Sequence, residues 1–377
     1  MSTLLAGARL LDAGGVTDGG WVLLDGDTIA ATGTGPPPGH AGETVDLAGA
    51  ELTPGFVDLH AHGGGGAAFD DGPDAIRTAL AVHRAAGTTR SVLSLVAAPL
   101  EALEASLAGI AEVAAADPTV LGAHLEGPFL APARCGAHDP RHLRAPTPDA
   151  VDRLLTAARG TLRQVTVAPE LPGALQAVRD LTAAGVVVAV GHTDADAALT
   201  AAAFDAGARL LTHALNAMPG LHHRAPGPVG AALADPRVTL ELVLDGVHVH
   251  PVVARLLMDG APGRVALVTD ATAAAGAGDG EHRLGGQAVT VRGGRAVLAG
   301  TGTIAGSTLT QDAALRTALA AGVDPVATVT ALTAAPARAL GLGDRLGRLA
   351  PGAAADVVAL GADRSATAVW AAGRRVL

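Results

Sequence analysis

The sequence predicts an α/β fold: a (β/α)8 TIM-type barrel with a small β-sandwich formed by both chain termini. Three observations carry this reading. Eight short, almost wholly apolar segments alternate with alanine-rich helical patterns through the middle of the 377 residues. Short strand-like segments broken by Gly-Gly, Asp-Gly and Pro-Pro-Pro turns occupy both ends. Histidines and carboxylates recur where the apolar segments stop, the rim on which barrel active sites are built.

The chain opens with strand patterns at Ala8–Leu11, Trp21–Leu24 and Thr28–Ala31, bounded by turn residues. Apolar strands follow at Gly55–Leu59, Ser91–Val96, Val120–Leu125, Gln164–Ala168, Val186–Val190, Arg209–Thr212, Thr239–Leu244 and Val265–Thr269. Near-continuous apolar runs suit parallel strands covered on both faces. Helical periodicity fills the gaps at Asp74–Ala86, Leu100–Ala116, Pro148–Ala158, Gly173–Ala184, Asp194–Ala206 and Pro251–Met258, and resumes at Gln311–Ala321. Between Glu281 and Gly300 the pattern reads as an inserted β-hairpin. Strands return at Asp356–Leu360 and Ala368–Leu377. Each flank is too small to fold alone, so residues 1–52 and 345–377 are expected to form one domain and 53–344 the barrel. An open doubly wound sheet is the competing architecture, but no Gly-x-Gly-x-x-Gly turn follows an early strand.

Composition removes several functions. Apolar residues make up 49% of the chain, yet no apolar run reaches membrane-spanning length, and the first residues lack a signal-peptide pattern. A net charge of −10 and 2% aromatic residues leave neither a basic footprint nor stacking platforms for nucleic acid. One cysteine, Cys135, makes no internal disulfide and fits a reducing cytoplasm. All 26 basic residues are arginine. The absence of lysine excludes Schiff-base chemistry, a phosphate-loop lysine and a carboxylated-lysine metal bridge.

His60-Ala-His62 ends the run Leu52-Thr-Pro-Gly-Phe-Val-Asp-Leu59 and precedes Gly63 to Gly66. Residues two apart on a strand share a face, so both imidazoles would converge beside a flexible loop. Glu126, His192, His213 and Asp270 stand at the ends of the third, fifth, sixth and eighth strands. Glu126, His192 and His213 offer one carboxylate and two imidazoles, a set suited to zinc or iron with a water position left open. Asp270 suits general base toward that water and then general acid toward a leaving amine, or a fourth ligand. With lysine absent, Glu126 is the available bridge to a second ion on His60 and His62, so one or two divalent ions per chain are expected.

The segments Gly122-Ala-His-Leu-Glu-Gly-Pro-Phe129, Gly191-His-Thr-Asp194, Thr212-His-Ala-Leu-Asn-Ala-Met-Pro219, Asp245-Gly-Val-His248 and Leu267-Val-Thr-Asp-Ala-Thr272 resemble the N-acetylglucosamine-6-phosphate deacetylases of the amidohydrolase superfamily. The resemblance covers nearly the whole chain, including the closing Gly347-Arg-Leu-Ala-Pro-Gly-Ala-Ala-Ala-Asp-Val357. It implies a cytoplasmic homodimer of amino-sugar catabolism and cell-wall recycling, hydrolysing an acetamide with a metal on Glu126, His192 and His213. It makes Asp270 the acid–base residue and pairs Ala137 with His138 as substrate contacts, His138 orienting the sugar or its acetyl carbonyl. Asn216, Ala217, the Asp245–His248 motif and His248 itself match the phosphate end, and Arg224 a phosphate-binding arginine lent across the dimer. Ile304, Ala305 and Gly306 match a loop closing over the substrate. A guanidinium fork suits a phosphate dianion on its own chemistry.

The other polar residues read as bystanders. His124 is expected behind the ligands, His222, His223 and His250 on the rim, and His40, His83, His142 and His282 at the surface. Cys135 is expected on a lid as a partly buried thiol. Three competing functions remain: deacetylation of another sugar phosphate such as N-acetylgalactosamine 6-phosphate, another amidohydrolase such as a D-aminoacylase, and a non-catalytic barrel scaffold.

Overall fold

In the computed structural model, which describes residues 2–39 and 42–377, the eight apolar segments form one parallel sheet. Numbering the barrel strands alone, these are β1 (Phe56–Ala61), β2 (Thr88–Val96), β3 (Val120–Glu126), β4 (Leu162–Val167), β5 (Val187–Val190), β6 (Leu210–Leu211), β7 (Thr239–Val243) and β8 (Val265–Val268). Each strand pairs with its sequence neighbour, and the ring closes where Asp270 N donates to the His60 carbonyl (2.7 Å) and His62 N to that of Ala271 (2.7 Å). All nine residues of β2 and all six of β1 are buried, as strands covered by side chains inside and helices outside must be.

The covering helices are α1 (Pro73–Ala85), α2 (Leu100–Ala116), α3 (Pro148–Ala157), α4 (Ala174–Ala183), α5 (Ala197–Ala206), α6 (Gly227–Ala234), α7 (Pro251–Gly260), α8 (Gln311–Ala320), α9 (Pro325–Leu332) and α10 (Ala334–Ala339). Local signals start several of them. Thr147 accepts from Ala150 N ahead of Pro148, and Asp324 from Ala327 N ahead of Pro325. Helix α5 begins three residues later than the pattern predicts. Asp196 caps it, while Asp194 is held outside by Arg134 and Glu170. Helices α6, α9 and α10 were not anticipated. Helix α6 carries Gly227, Pro228 and Gly230, poor helix formers that burial of Val229, Ala231 and Ala232 overrides.

The two termini pair as expected. Glu51–Pro54 lies antiparallel to Val357–Leu360 inside one eight-stranded mixed sheet. Bulges between Leu5 and Leu10 bend its first strand, and Ile29 N donates to the Ala353 carbonyl (2.8 Å), so the far edge meets the strand that returns from the barrel. The sheet's two halves enclose a separate apolar core including Leu5, Val22, Ile29, Val357 and Trp370.

The insertion after β8 is a three-stranded meander, Gly280–Leu284, Gln287–Arg292 and Arg295–Leu298, rather than the single hairpin anticipated. Two glycine pairs, Gly285-Gly286 and Gly293-Gly294, each supply two consecutive positive φ angles and so close two tight turns. No helix among the described residues is long and apolar enough to cross a membrane.

His83 departs from the surface position expected of it. It follows Ile76, Ala79 and Leu80 on the buried stripe of α1, and its Nε2 donates to the Gly63 carbonyl (2.9 Å). His142 and His282 are half-buried, and His40 lies outside the described residues.

Candidate active site

All six strand-end residues meet at the carboxyl end of the barrel, each buried. Glu126 is the hub. Its Oε1 lies 3.0 Å from His213 Nε2 and 3.1 Å from His192 Nε2, and these two nitrogens are 3.0 Å apart. Its Oε2 lies 3.1 Å from His62 Nε2 and 3.3 Å from His138 Nε2. Asp270 Oδ1 stands 3.3 Å from His62 Nε2 and 3.6 Å from His60 Nε2. Two overlapping donor groups result: Glu126, His192 and His213, and His60, His62, Glu126 and Asp270.

Hydrogen-bond partners fix what His192 and His138 present. His192 Nδ1 donates to the Arg134 carbonyl (2.8 Å), which leaves its Nε2 lone pair facing Glu126 and His213. His192 Nε2, His213 Nε2 and Glu126 Oε1 crowd within 3.1 Å of one another, a donor set suited to holding a cation between them. The donor set therefore fits a divalent transition metal. His138 is the opposite case. Its Nδ1 accepts from Ala97 N (3.1 Å), so the neutral ring carries its proton on Nε2, a donor aimed into the site.

Charge follows the same geometry. Burial opposes protonation of His60, but Glu126 and Asp270 outweigh it and hold its pKa well above the ordinary imidazole value. Burial also opposes charge on His62, whose bonds to Asp270 and Glu126 push it up to about 9. Burial would raise Glu126 and Asp270, yet the histidines around them hold both well below the usual carboxylate range, His60 foremost. The site is thus a pair of carboxylates demanding positive charge.

Backbone strain marks the same residues. His192 (φ 46°), His213 (φ 27°) and Asp270 (φ 49°) all sit in the left-handed region, at a cost of about 1–3 kcal/mol each. Supporting groups hold them there. Glu170 accepts from Thr193 Oγ1 (2.5 Å) and Asp194 N (2.5 Å), bracing the turn after His192. Asp58 accepts from Thr269 Oγ1 (2.6 Å) and His60 N (3.2 Å), joining β1 to the end of β8. Sequence reasoning missed Asp58, Gln164, Glu170 and Glu241. A charged residue inside an apolar strand, such as Glu241 in Thr239-Leu-Glu-Leu-Val243, was the available signal.

A cavity of about 350 Å³ opens onto the ligands. Ala137, His138, Asn216, Ala217, His248, Ile304 and Gly306 line it together with Arg134 and Leu284. Ala305 is fully buried and packs into the core of the inserted sheet, outside that lining. Asp245 acts on the cavity indirectly, accepting from His248 Nδ1 (2.8 Å), and His248 Nε2 stands 3.8 Å from Asp270 Oδ2. Arg224 is exposed and does not reach its own chain's cavity, and His222, His223 and His250 are exposed as expected. Cys135 is half-buried on the loop between Ala131 and His138 but does not line the cavity. His124 lies behind His60, bonded to Ser94 Oγ (2.9 Å) and Thr166 Oγ1 (2.8 Å), and burial drives its pKa well down. A larger cavity of about 790 Å³ lies away from this chemistry, beside Arg84, Glu112 and Arg374.

The amidohydrolase family model matches residues 52–376. The chain belongs to that family. An N-acetylgalactosamine-6-phosphate deacetylase of Escherichia coli O157:H7 is 43% identical over 86% of this chain and 87% of its own length. An N-acetylglucosamine-6-phosphate deacetylase of Vibrio furnissii is 35% identical over 93% of this chain and 88% of its own. The crystal structure of N-acetyl-D-glucosamine-6-phosphate deacetylase from Mycobacterium smegmatis superposes with a TM-score of 0.94 at 44% identity, covering all of both chains. As an amidohydrolase, the chain has an architecture in which a metal-type donor cluster at the carboxyl end of the barrel is the expected working centre.

Proposed function

We propose that this chain hydrolyses the acetamide of N-acetylglucosamine 6-phosphate to glucosamine 6-phosphate and acetate. The observation that carries the reading is the convergence, in one cavity, of Glu126, His192 and His213 with an ionised Asp270 and the Nε2–H of His138. Glu126, His192 and His213 would hold a divalent cation, zinc or iron, which would supply Lewis acidity toward the acetyl carbonyl and a water. Asp270 takes the proton of that water as its oxygen bonds to the carbonyl carbon. His138 donates from Nε2 to the carbonyl oxygen as negative charge builds there. Asp270 then returns the proton to the amide nitrogen as the C–N bond breaks, releasing the amine and acetate.

Asn216, Ala217 and His248 are suited to hold the sugar phosphate, with Ile304 and Gly306 closing over it. The exposed guanidinium of Arg224 suits a phosphate in the partner's cavity, so we infer a homodimer with no nucleic-acid or membrane partner. We assign residues 1–52 and 345–377 to one domain and 53–344 to the barrel, and read a cytoplasmic enzyme. His60 and His62 offer a second ion position, giving one or two ions per chain.

N-Acetylgalactosamine 6-phosphate is the second reading, because the relative named for that substrate shares 43% identity. Acetate release measured on both sugar phosphates, with elemental analysis of the purified protein, separates the two. Asp270→Asn should keep the metal and lower kcat by about 10²–10⁴-fold. Near-normal turnover of that variant would sink the assignment. Absence of acetate from either substrate would revive a D-aminoacylase-like activity or a scaffold role.

A further inference from the structure

Glu241 projects from β7 into the barrel core and is fully buried. Packing alone does not call for a carboxylate there, and an ionised one costs several kcal/mol unless positive charge compensates it. Among the described residues its side-chain partners are Gln164, whose Nε2 donates to Oε1 (2.7 Å), and His60, whose Nδ1 lies 3.3 Å from Oε2. Neither is an arginine. A carboxylate oxygen only accepts, so Nδ1 of His60 carries a proton, and a bound cation would take the place of any proton on Nε2. That Nε2 is 3.1 Å from His62 Nε2, 3.4 Å from Glu126 Oε1 and 3.6 Å from Asp270 Oδ1.

We propose that Glu241 is the positioning residue that decides whether the His60/His62 position holds a second divalent cation, its buried carboxylate acting on that cation through the imidazole of His60. The inference rests on the metal-centre reading given above. A carboxylate behind a histidine makes the imidazole a stronger donor and fixes its orientation. Glu241 thus supplies the orientation and the tautomer of His60 that the second position needs.

Glu241→Gln separates this role from packing. The amide has nearly the same shape, and Gln164 Oε1, buried without a partner, can turn to accept from it. Metal-stripped protein is titrated with Zn²⁺, and with Co²⁺ for its absorption spectrum, while ions per chain and the affinity of each step are measured. The wild-type chain should take two ions. Glu241→Gln should bind the first ion as the wild type does and the second about 10–100-fold more weakly. Glu241→Asp keeps the charge but withdraws it from Nδ1 by one methylene, and it too should weaken the second step alone.

If Glu241→Gln fails to fold, the aspartate variant carries the test by itself. Full second-ion affinity in the folded variant overturns the proposal, as does equal weakening of both steps or a wild-type chain that takes one ion. A wild-type chain that binds no ion removes the metal-centre reading and this inference with it.

Discussion

In metal-stripped protein, protons on His60 and His62 neutralise the charge of Glu126 and Asp270. The consequence for pH can be worked out for His62. Its pKa is about 9 in the folded chain against about 6.5 when unfolded. A raised folded value means that the stabilisation is fully present below about pH 6.5 and is lost as pH rises through 9. The stripped protein should therefore melt at progressively lower temperature between pH 6.5 and 9.5. A bound ion replaces those protons, so the loaded protein should show a flatter profile and tighter metal binding across the same window. Thermal unfolding with and without Zn²⁺ checks this, with His62→Asn as the control that reduces the slope while His60 keeps its share. A stripped protein whose melting temperature stays level across that window would contradict the charge state assigned to this residue.

The exit from β8 shows how an element places a side chain. Segment 303–307 returns from the inserted sheet and is bonded to that exit. Ser307 N donates to the Asp270 carbonyl (2.7 Å), Thr272 N to the Ser307 carbonyl (2.9 Å), and Ser307 Oγ to the Thr269 carbonyl (2.6 Å). Gly306 makes this approach with φ +59°, and a Cβ there would stand 2.5 Å from Thr272 Cγ2 and 2.8 Å from the Asp270 carbonyl oxygen. Gly306→Ala therefore forces segment 303–307 and the backbone of Asp270 apart. It should lower kcat by about 100-fold, the cost of misplacing a reacting group by about 1 Å, while metal stays on Glu126, His192 and His213. Turnover and metal content measured together test this, and unchanged turnover would mean that the loop does not position the aspartate. Much at this scale was legible from sequence. All eight barrel strands are apolar runs, and the ligands stand at their ends. Short helices such as α6 were not, because burial rather than propensity makes them. Asp58 and Glu241 were marked only as charges inside apolar strands, and what they bind was hidden. Their partners, Thr269 at 211 residues away and Gln164 at 77, meet them only when the ring closes. His83 was legible in principle, since it continues the spacing of Ile76, Ala79 and Leu80.

Taken as a whole, the molecule is a barrel with a sheet of terminal strands that packs Leu11, Val358, Leu360 and Val369 onto the barrel core, and a buried ion pair spans the junction. Arg90, near the start of β2, donates from Nε to Asp356 Oδ2 (2.6 Å) and from Nη2 to Oδ1 (3.1 Å). Asp356 Oδ1 also accepts from Ala372 N (2.7 Å), and the Asp356 carbonyl accepts from Gly55 N (2.8 Å), where the chain enters the barrel. One residue thus holds the barrel, the returning strand and the last hairpin together. Asp356→Ala leaves the Arg90 guanidinium buried without its counter-charge, which should cost about 3–5 kcal/mol. That is a large share of the about 5–15 kcal/mol by which folded proteins are stable. Val96 in the cavity wall lies six positions along β2 from Arg90, about 20 Å at the rise of a strand, so turnover per folded molecule should hold at low temperature. The double variant Arg90→Met/Asp356→Leu removes both charges and should recover much of the loss, because the penalty comes from the unpaired cation rather than from the missing bond. Denaturant unfolding of the wild type, the single variant and the double variant decides the matter. A double variant no more stable than Asp356→Ala would assign the loss instead to the Ala372 N–H, which the Asp356 side chain accepts from at the junction.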